Sequence, residues 1–194
     1  MRRLYILQVC IALMTSVVLA QKDIKPPETF TASAQLLGNN AGASAQVTIQ
    51  INQYTSDKDR ASIQEALKSG GNQGFLKALR SAPEVGYVEM NGRKVAVRWA
   101  RQQPTEKGRT ISVVTDAPMA FVGGGSVDAK PRAGYDVAVI QLEVDQIGLG
   151  NGSIAAAARV KPGGPTGVQI DDYAETPAKL VTVRKSFASN GCAM

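Results

Sequence analysis

The chain has 194 residues, of which 44% are apolar and 20% charged, and a formal net charge of +6; these values exclude a wholly disordered chain and favour one domain with its own core. It contains no histidine, which excludes Ser-His-Asp and Cys-His catalysis, imidazole zinc sites and a histidine pH switch. Charges of both signs are interspersed without a long block of one sign, so we expect no nucleic-acid partner.

The first twenty residues predict a secretory signal peptide. Arg2 and Arg3 form a positively charged start, and the segment from Leu4 to Leu19 is mostly apolar. Val18 and Ala20 are the small residues that a signal peptidase accepts before its cleavage point. We therefore expect cleavage after Ala20 and export of the mature chain to the periplasm or the extracellular space.

Two alternatives to a cleaved signal are an uncleaved membrane anchor and a lipoprotein modified at Cys10. The apolar segment is shorter than the roughly 20 residues that a spanning helix needs, and Cys10 lies in its middle rather than near its end. We expect no stable membrane span after cleavage. Cys192 is then the only thiol, so it pairs between molecules or stays free.

The organisation after the signal peptide is predicted to be simple. Beyond the signal peptide at 1–20, we expect an extended leader at 21–29, because Lys-Pro-Pro disfavours a helix there. A single β-rich domain at 30–187 follows, and the last residues, 188–194, are predicted to form a flexible tail.

The domain begins with two predicted strands and a helical segment. An apolar residue occupies every second position from Phe30 to Leu37 and again from Ala45 to Ile51, which is typical of half-buried strands. From Ser56 the period becomes helical, with the spacing of a capping box. Gly70-Gly71 is predicted to end one helix, and a second helix ends before Pro83. We expect a helical hairpin that covers a face or an open end of the sheet.

Strand patterns return after Pro83. Asn91-Gly92 between two strand patterns is the strongest short signal for a tight hairpin. In the second of these strands, Trp99 is predicted to share one core face with Val95 and Val97. The glycines from Gly148 to Gly152 are predicted to form a turn. Further strand patterns occupy 110–115, 135–145, 154–160, 168–173 and 180–186.

These elements predict a mainly β (α+β) fold. About nine strands follow one another with short turns and without strand–helix–strand alternation, which favours antiparallel pairing. We expect an antiparallel β-sandwich or a partly open β-barrel of about 8–9 strands, with the helical hairpin inserted.

No catalytic, metal or cofactor motif is recognisable, and no cofactor is expected. The glycine-rich stretch Gly123-Gly124-Gly125 precedes a strand rather than a helix, so it lacks the context of a phosphate loop. Two weaker candidates remain. A carboxylate cluster is a candidate for hydrolysis or calcium binding; it comprises Asp171, Asp172 and Glu175. A basic strand is a candidate contact for an anionic partner or a charge-protected edge; it comprises Arg93, Lys94, Arg98 and Arg101.

The order of several segments resembles a group of uncharacterised secreted bacterial proteins, over about residues 30–185. The residues that carry the resemblance are Tyr54-Thr55-Ser56 with Asp59-Arg60, Ala82-Pro83 with Val85-Gly86-Tyr87, Thr115-Asp116-Ala117-Pro118, and the glycines Gly148, Gly150 and Gly152. The resemblance implies a bacterial exported domain without an assigned activity, and it implies no catalytic residues.

Three functions remain open from the sequence. The first is a non-enzymatic exported domain that binds an apolar small molecule or an envelope protein, for example in a barrel mouth closed by the helices. The second is a hydrolase that uses the carboxylate cluster. The third is an envelope-structural or assembly protein that makes contacts through exposed hairpins or Cys192.

Overall fold

The computed structural model describes residues 26–36, 44–119, 133–164, 166–174 and 176–186. The predicted signal peptide, most of the leader, the glycine-rich stretch and the predicted tail lie outside these residues. The elements in chain order are β1 (Glu28–Gln35), β2 (Ser44–Ile51), α1 (Asp57–Ser81), β3 (Gly86–Met90), β4 (Arg93–Thr105), β5 (Gly108–Thr115), β6 (Val137–Asp145), β7 (Leu149–Pro162), β8 (Val168–Tyr173) and β9 (Ala178–Ser186).

Of the nine strands in the described residues, eight close into an antiparallel barrel. Strands β1 to β6 pair in succession, β6 pairs with β7, β7 with β9, and β9 with β1. Strand β8 pairs with the second half of β7 and is the one extra strand. The predicted antiparallel, mainly β fold is therefore confirmed. The barrel is closed rather than partly open, because β1 and β9 pair along their length.

Apolar side chains fill the interior of the barrel. The alternation seen in the sequence of β2 places Ala45, Val47, Ile49 and Ile51 inside, as predicted. Every other strand of the barrel adds inward residues to the same cluster, among them Phe30 of β1. An eight-stranded barrel has an interior just wide enough for its own side chains. This interior is accordingly a packed core.

Helix α1 covers the outer wall of the barrel. Its buried residues are Ile63, Leu67, Phe75 and Leu79, and they pack with outward-facing residues of β4 to β8. Trp99 belongs to this outer cluster and not to the inner one. The prediction that Trp99 shares a face with Val95 and Val97 was wrong, because the register between β4 and β5 shifts after Val97.

The helical segment is one element with a break. Ser56 caps its start by accepting a hydrogen bond from the Asp59 amide at 3.1 Å. Gly71 interrupts the helix with a φ of 58°, which favours glycine. A Cβ at Gly74 would lie 2.6 Å from the Ala66 carbonyl oxygen, so the two arms meet closely. Two helices were predicted here, and the structure has one helical element broken at Gly71. It packs on the wall of the barrel, and a face of the sheet was one of the two predicted placements. In the described residues, no helix is long and apolar enough to cross a bilayer.

Two turns test the glycine patterns of the sequence. Asn91 and Gly92 both have positive φ, at 53° and 77°, as the tight hairpin between β3 and β4 requires. The turn predicted from Gly148 to Gly152 is shorter, since β7 already begins at Leu149. Gly150 is a strand residue, and a Cβ there would collide with the Glu143 carbonyl oxygen of β6. It permits the close approach of β6 and β7.

Candidate functional site

Five polar residues form a cluster inside one end of the barrel, which we call the Glu28 network. Its members are Glu28, Tyr54, Gln102, Arg109 and Lys185. Glu28 lies two residues before inward-facing Phe30 on β1, and Arg109 lies two residues before inward-facing Ile111 on β5. Because alternate residues of a strand face the same side, both charged side chains point into the interior of the barrel.

Glu28 is the centre of the network, with a side chain that is 0% exposed. Its Oε1 accepts from Arg109 Nη2 at 2.6 Å and lies 2.7 Å from Lys185 Nζ. Its Oε2 accepts from Tyr54 Oη at 2.6 Å and from Arg109 Nη1 at 2.9 Å. Both carboxylate oxygens are therefore fully bonded, which compensates for the cost of burying a charge.

The network also shifts the titration of its members. Burial by itself raises the pKa of the Glu28 carboxyl, but the hydrogen bonds from Arg109, Lys185 and Tyr54 outweigh burial and hold the pKa below 4.5. Burial, and then the bond to Glu28, raise the pKa of Tyr54. Burial lowers the pKa of Arg109, and the bond to Glu28 more than offsets this. Glu28 is therefore ionised and Tyr54 protonated at neutral pH.

Arg109 keeps unused donors although it is only 6% exposed. Nη1 donates to Glu28 Oε2, Tyr54 Oη and Gln102 Oε1, and Nη2 donates to Glu28 Oε1. Nε is buried and has no hydrogen-bond partner. A guanidinium has five N–H groups in a flat fork, so one N–H of Nη2 and that of Nε remain on one edge.

A groove of about 550 Å³ lies beside Arg109, between the β4–β5 turn and the end of β6. Its walls carry both signs of charge. The lining residues are Thr105, Glu106, Lys107, Arg109, Thr110, Glu143, Val144 and Asp145. Among the described residues, Glu106, Lys107 and Glu143 make no ion pair. The groove therefore presents charges that no neighbour in this part of the structure neutralises.

The predicted basic strand separates into two pairs. Arg93 and Lys94 lie beside the β3–β4 turn, where Lys94 Nζ is 3.5 Å from Glu89. Arg98 is bonded to Asp116 and to the Ala82 carbonyl oxygen. Arg101 donates to the Thr55 carbonyl oxygen and lies 3.3 Å from Asp57. Arg98 and Arg101 thus tie β4 to the segments flanking α1.

The predicted carboxylate cluster lies on the β7–β8 hairpin, away from the groove. Asp171 is 3.6 Å from Arg159 and 3.4 Å from Lys161. Asp172 is 3.5 Å from the same Arg159 and accepts from the Tyr135 hydroxyl. Both carboxylates therefore have cationic partners across the hairpin. Glu175 lies outside the described residues.

Sequence reasoning missed the Glu28 network, although a signal was present. Glu28 was assigned to the leader, yet it continues the alternation of Phe30, Ala32 and Ala34. A charged residue at one of the alternate positions that are otherwise apolar points into the core, where its charge needs an ion-pair partner. Arg109 stands in the same relation to Ile111, and the two signals together point to a buried ion pair.

The described residues contain no group of three or more acidic or cysteine side chains that could hold a metal ion. Comparisons with protein-family models, curated proteins and solved structures find no match to this chain. The resemblance to secreted bacterial proteins therefore stays a prediction.

Proposed function

We propose that this chain is an exported, non-enzymatic binding domain and that the groove beside Arg109 takes a small charged ligand. One observation carries the proposal. The groove is lined by Glu106, Lys107 and Glu143, and in the described residues none of these three side chains makes an ion pair. A ligand of complementary charge gains ion pairs that no described neighbour supplies.

The remaining geometry favours this site over the other candidates. The interior of the barrel is filled by its own side chains, so an apolar ligand inside the barrel receives no support. Asp171 and Asp172 are engaged by Arg159 and Lys161, and the third member of the predicted cluster, Glu175, lies outside the described residues. Their contacts fit a role in holding β8 to β7.

The binding role is tested by titrating the purified protein, labelled with ¹⁵N, with a set of small carboxylates, phosphates, amines and amino acids. We expect saturable shifts of the amide signals of Thr105–Thr110 and Glu143–Asp145, and little change on the β3–β4 turn. The replacement K107Q weakens the response to anions, whereas K68Q on the exposed side of α1 does not. If no compound shifts these amides, the groove is not a binding site.

Export is tested separately, on the protein made in a bacterial host with its first twenty residues. We expect the intact mass and the N-terminal sequence of the purified protein to begin at Gln21, as cleavage after Ala20 predicts. The replacement A20W removes the small residue that the signal peptidase requires before its cleavage point, so the signal peptide should stay attached. A mature protein that retains Met1 contradicts the proposed export.

A second candidate is a protein partner that covers the β6–β7 turn. Ile147 lies in this turn and Leu149 is the first residue of β7, and they are 62% and 44% exposed. Exposed aliphatic side chains next to each other are typical of contact surfaces. A photo-crosslinking residue at 147 should yield one discrete protein adduct in the cell envelope, and one at Gln46 should not. The purified partner should then slow exchange of the Leu149 amide; failure of that protection rejects this candidate.

A further inference from the structure

We propose that Asn91, in the β3–β4 turn, is a site of spontaneous covalent modification, at which the side-chain amide is lost through a cyclic imide to give aspartate and isoaspartate. The chain contains the dipeptide Asn-Gly at 91–92, 151–152 and 190–191. The first two copies lie in the described residues and the third lies outside them. The fold places the first two in different backbone settings, and it thereby selects between them.

The reaction requires only the chain itself and water. The backbone nitrogen of the residue that follows the asparagine attacks the asparagine Cγ, so that a new N–Cγ bond closes the imide and the Cγ–Nδ2 bond breaks. Nδ2 leaves as ammonia and takes the proton of the attacking amide. Water then opens the imide at either carbonyl, which yields aspartate or isoaspartate. A glycine after the asparagine favours the attack, because it has no Cβ to obstruct the close approach.

The first copy lies where the backbone can reorient for this attack. Asn91 and Gly92 are both exposed and form the two-residue turn between β3 and β4. The β3–β4 ladder ends at the pair of Met90 and Arg93, so the Gly92 amide lies beyond its last pair. A Cβ built on Gly92 would meet nothing within 4 Å, so the turn is open at this point. Opening the turn disturbs only the end of the hairpin, and such ends open at low free energy.

The second copy has an exposed asparagine but a constrained backbone. Asn151 lies in β7, which pairs with β6 on one side and with β9 on the other. Gly152 lies opposite Leu142 of β6 and Leu180 of β9, and a Cβ on it would lie 2.3 Å from the Gln141 carbonyl oxygen. Reorienting this backbone breaks pairing in the wall of the barrel, which opens only at a much higher free energy than a turn. The fold therefore protects Asn151.

The two products have different effects on the turn. Aspartate leaves the main chain unchanged, and Asp-Gly suits the same type of turn as Asn-Gly. Isoaspartate passes the main chain through its side chain and adds a carbon atom between residues 91 and 92. The turn then loses the two-residue geometry in which both residues have positive φ. Either product also adds a negative charge two residues before Arg93.

The test follows both asparagines in the full chain, aged at mildly alkaline pH with and without denaturing urea. Trypsin releases them in separate peptides, 81–93 and 133–159, and fragment masses show at which residue an amide has become an acid. In the folded protein we expect Asn91 to convert at least about tenfold faster than Asn151, because the turn opens at lower free energy than the wall. In urea the two rates should lie within about threefold of each other, since the native pairing no longer distinguishes them.

Two results overturn the proposal. One is equal conversion of Asn91 and Asn151 in the folded protein. The other is an intact Asn91 after a period in which the urea-treated protein has converted it. The replacement N91S is the control, because it removes the reacting amide. It should abolish conversion in peptide 81–93 and leave the rate in peptide 133–159 unchanged.

The effect on the turn is measured on the products themselves. Ion exchange separates the aged protein from the unaged protein by the added charge, and an endoprotease that cleaves at aspartate but not at isoaspartate identifies each product. The replacement N91D carries the aspartate product from the start and should unfold at the same urea concentration as the unaged protein. The isoaspartate fraction should unfold at a lower concentration. Equal stability of this fraction and N91D contradicts the expected loss of the turn geometry.

Discussion

The replacement E28Q tests whether the Glu28 network stabilises the barrel. Glutamine keeps the shape of the side chain but removes its charge, and it places a donor amide where Arg109 or Lys185 now donates. Glu28 is fully buried and bonded by both cations and by Tyr54. Breaking one partner out of a buried ion pair costs about 3–5 kcal/mol. For a domain of this size, that corresponds to a fall in Tm of about 6–20 °C.

The assay is urea unfolding at pH 7, followed by the fluorescence of Trp99, which is the only tryptophan and is fully buried. E143Q is the matched control, since it makes the same chemical change at an exposed position of β6. It should change the free energy of unfolding by no more than about 0.5 kcal/mol. A loss below about 1 kcal/mol in E28Q would refute the argument that buried charge pairing supports this end of the barrel.

E28Q can lose stability because a favourable ion pair is lost or because Arg109 and Lys185 are left without their carboxylate partner. A triple replacement distinguishes these two causes. When Glu28, Arg109 and Lys185 are all changed to methionine, no charge remains in the Glu28 network. Apolar substitution of a whole buried ion cluster is often neutral or stabilising. We therefore expect the triple variant to be more stable than E28Q. If the triple variant loses more stability than E28Q, the network contributes net stabilisation.

Three further predictions concern stability. Because folding lowers the pKa of Glu28, the contribution of this carboxylate to the free energy of unfolding is complete above pH 4.5 and is lost as the pH falls through the folded-state pKa. The difference in free energy of unfolding between wild type and E28Q should therefore shrink in acid, and a difference that stays constant with pH contradicts this. N72A should cost about 1–3 kcal/mol by thermal unfolding, because Asn72 Oδ1 accepts from the buried Val160 amide at 2.9 Å, whereas exposed N151A should be neutral. G150A should lose about 3 kcal/mol or more through collision with the Glu143 carbonyl oxygen, whereas G70A, which meets nothing within 4 Å in α1, should gain about 0.5–1 kcal/mol.

Much of the fold could be predicted from the sequence because it depends on three local signals. The period of two gave β2 and its inward face correctly, and Asn91-Gly92 gave the β3–β4 hairpin. The break of α1 at Gly71 followed from paired glycines. Each of these features depends on neighbours in sequence, so a single chain suffices to predict it.

The features that sequence reasoning missed depend on pairings between distant segments. Closure of the barrel requires β1 to pair with β9, which no local pattern specifies. The register shift after Val97, which turns Trp99 outward, is likewise set by the partner strand β5. The groove assembles from the β4–β5 turn and the end of β6, so its charges are far apart in sequence. The basic and carboxylate candidates were visible as clusters, but their ion-pair partners were not.

The seam between β1 and β9 has a consequence for how the chain reaches its native state. A nascent polypeptide that has emerged only as far as β7 has no partner for one side of β1, so it cannot yet complete the cylinder. Contacts between such remote segments carry a high entropic cost and tend to slow folding. If the protein is exported as we propose, this delay suits translocation, since a polypeptide threaded through a membrane channel must not fold before its final strand has been synthesised.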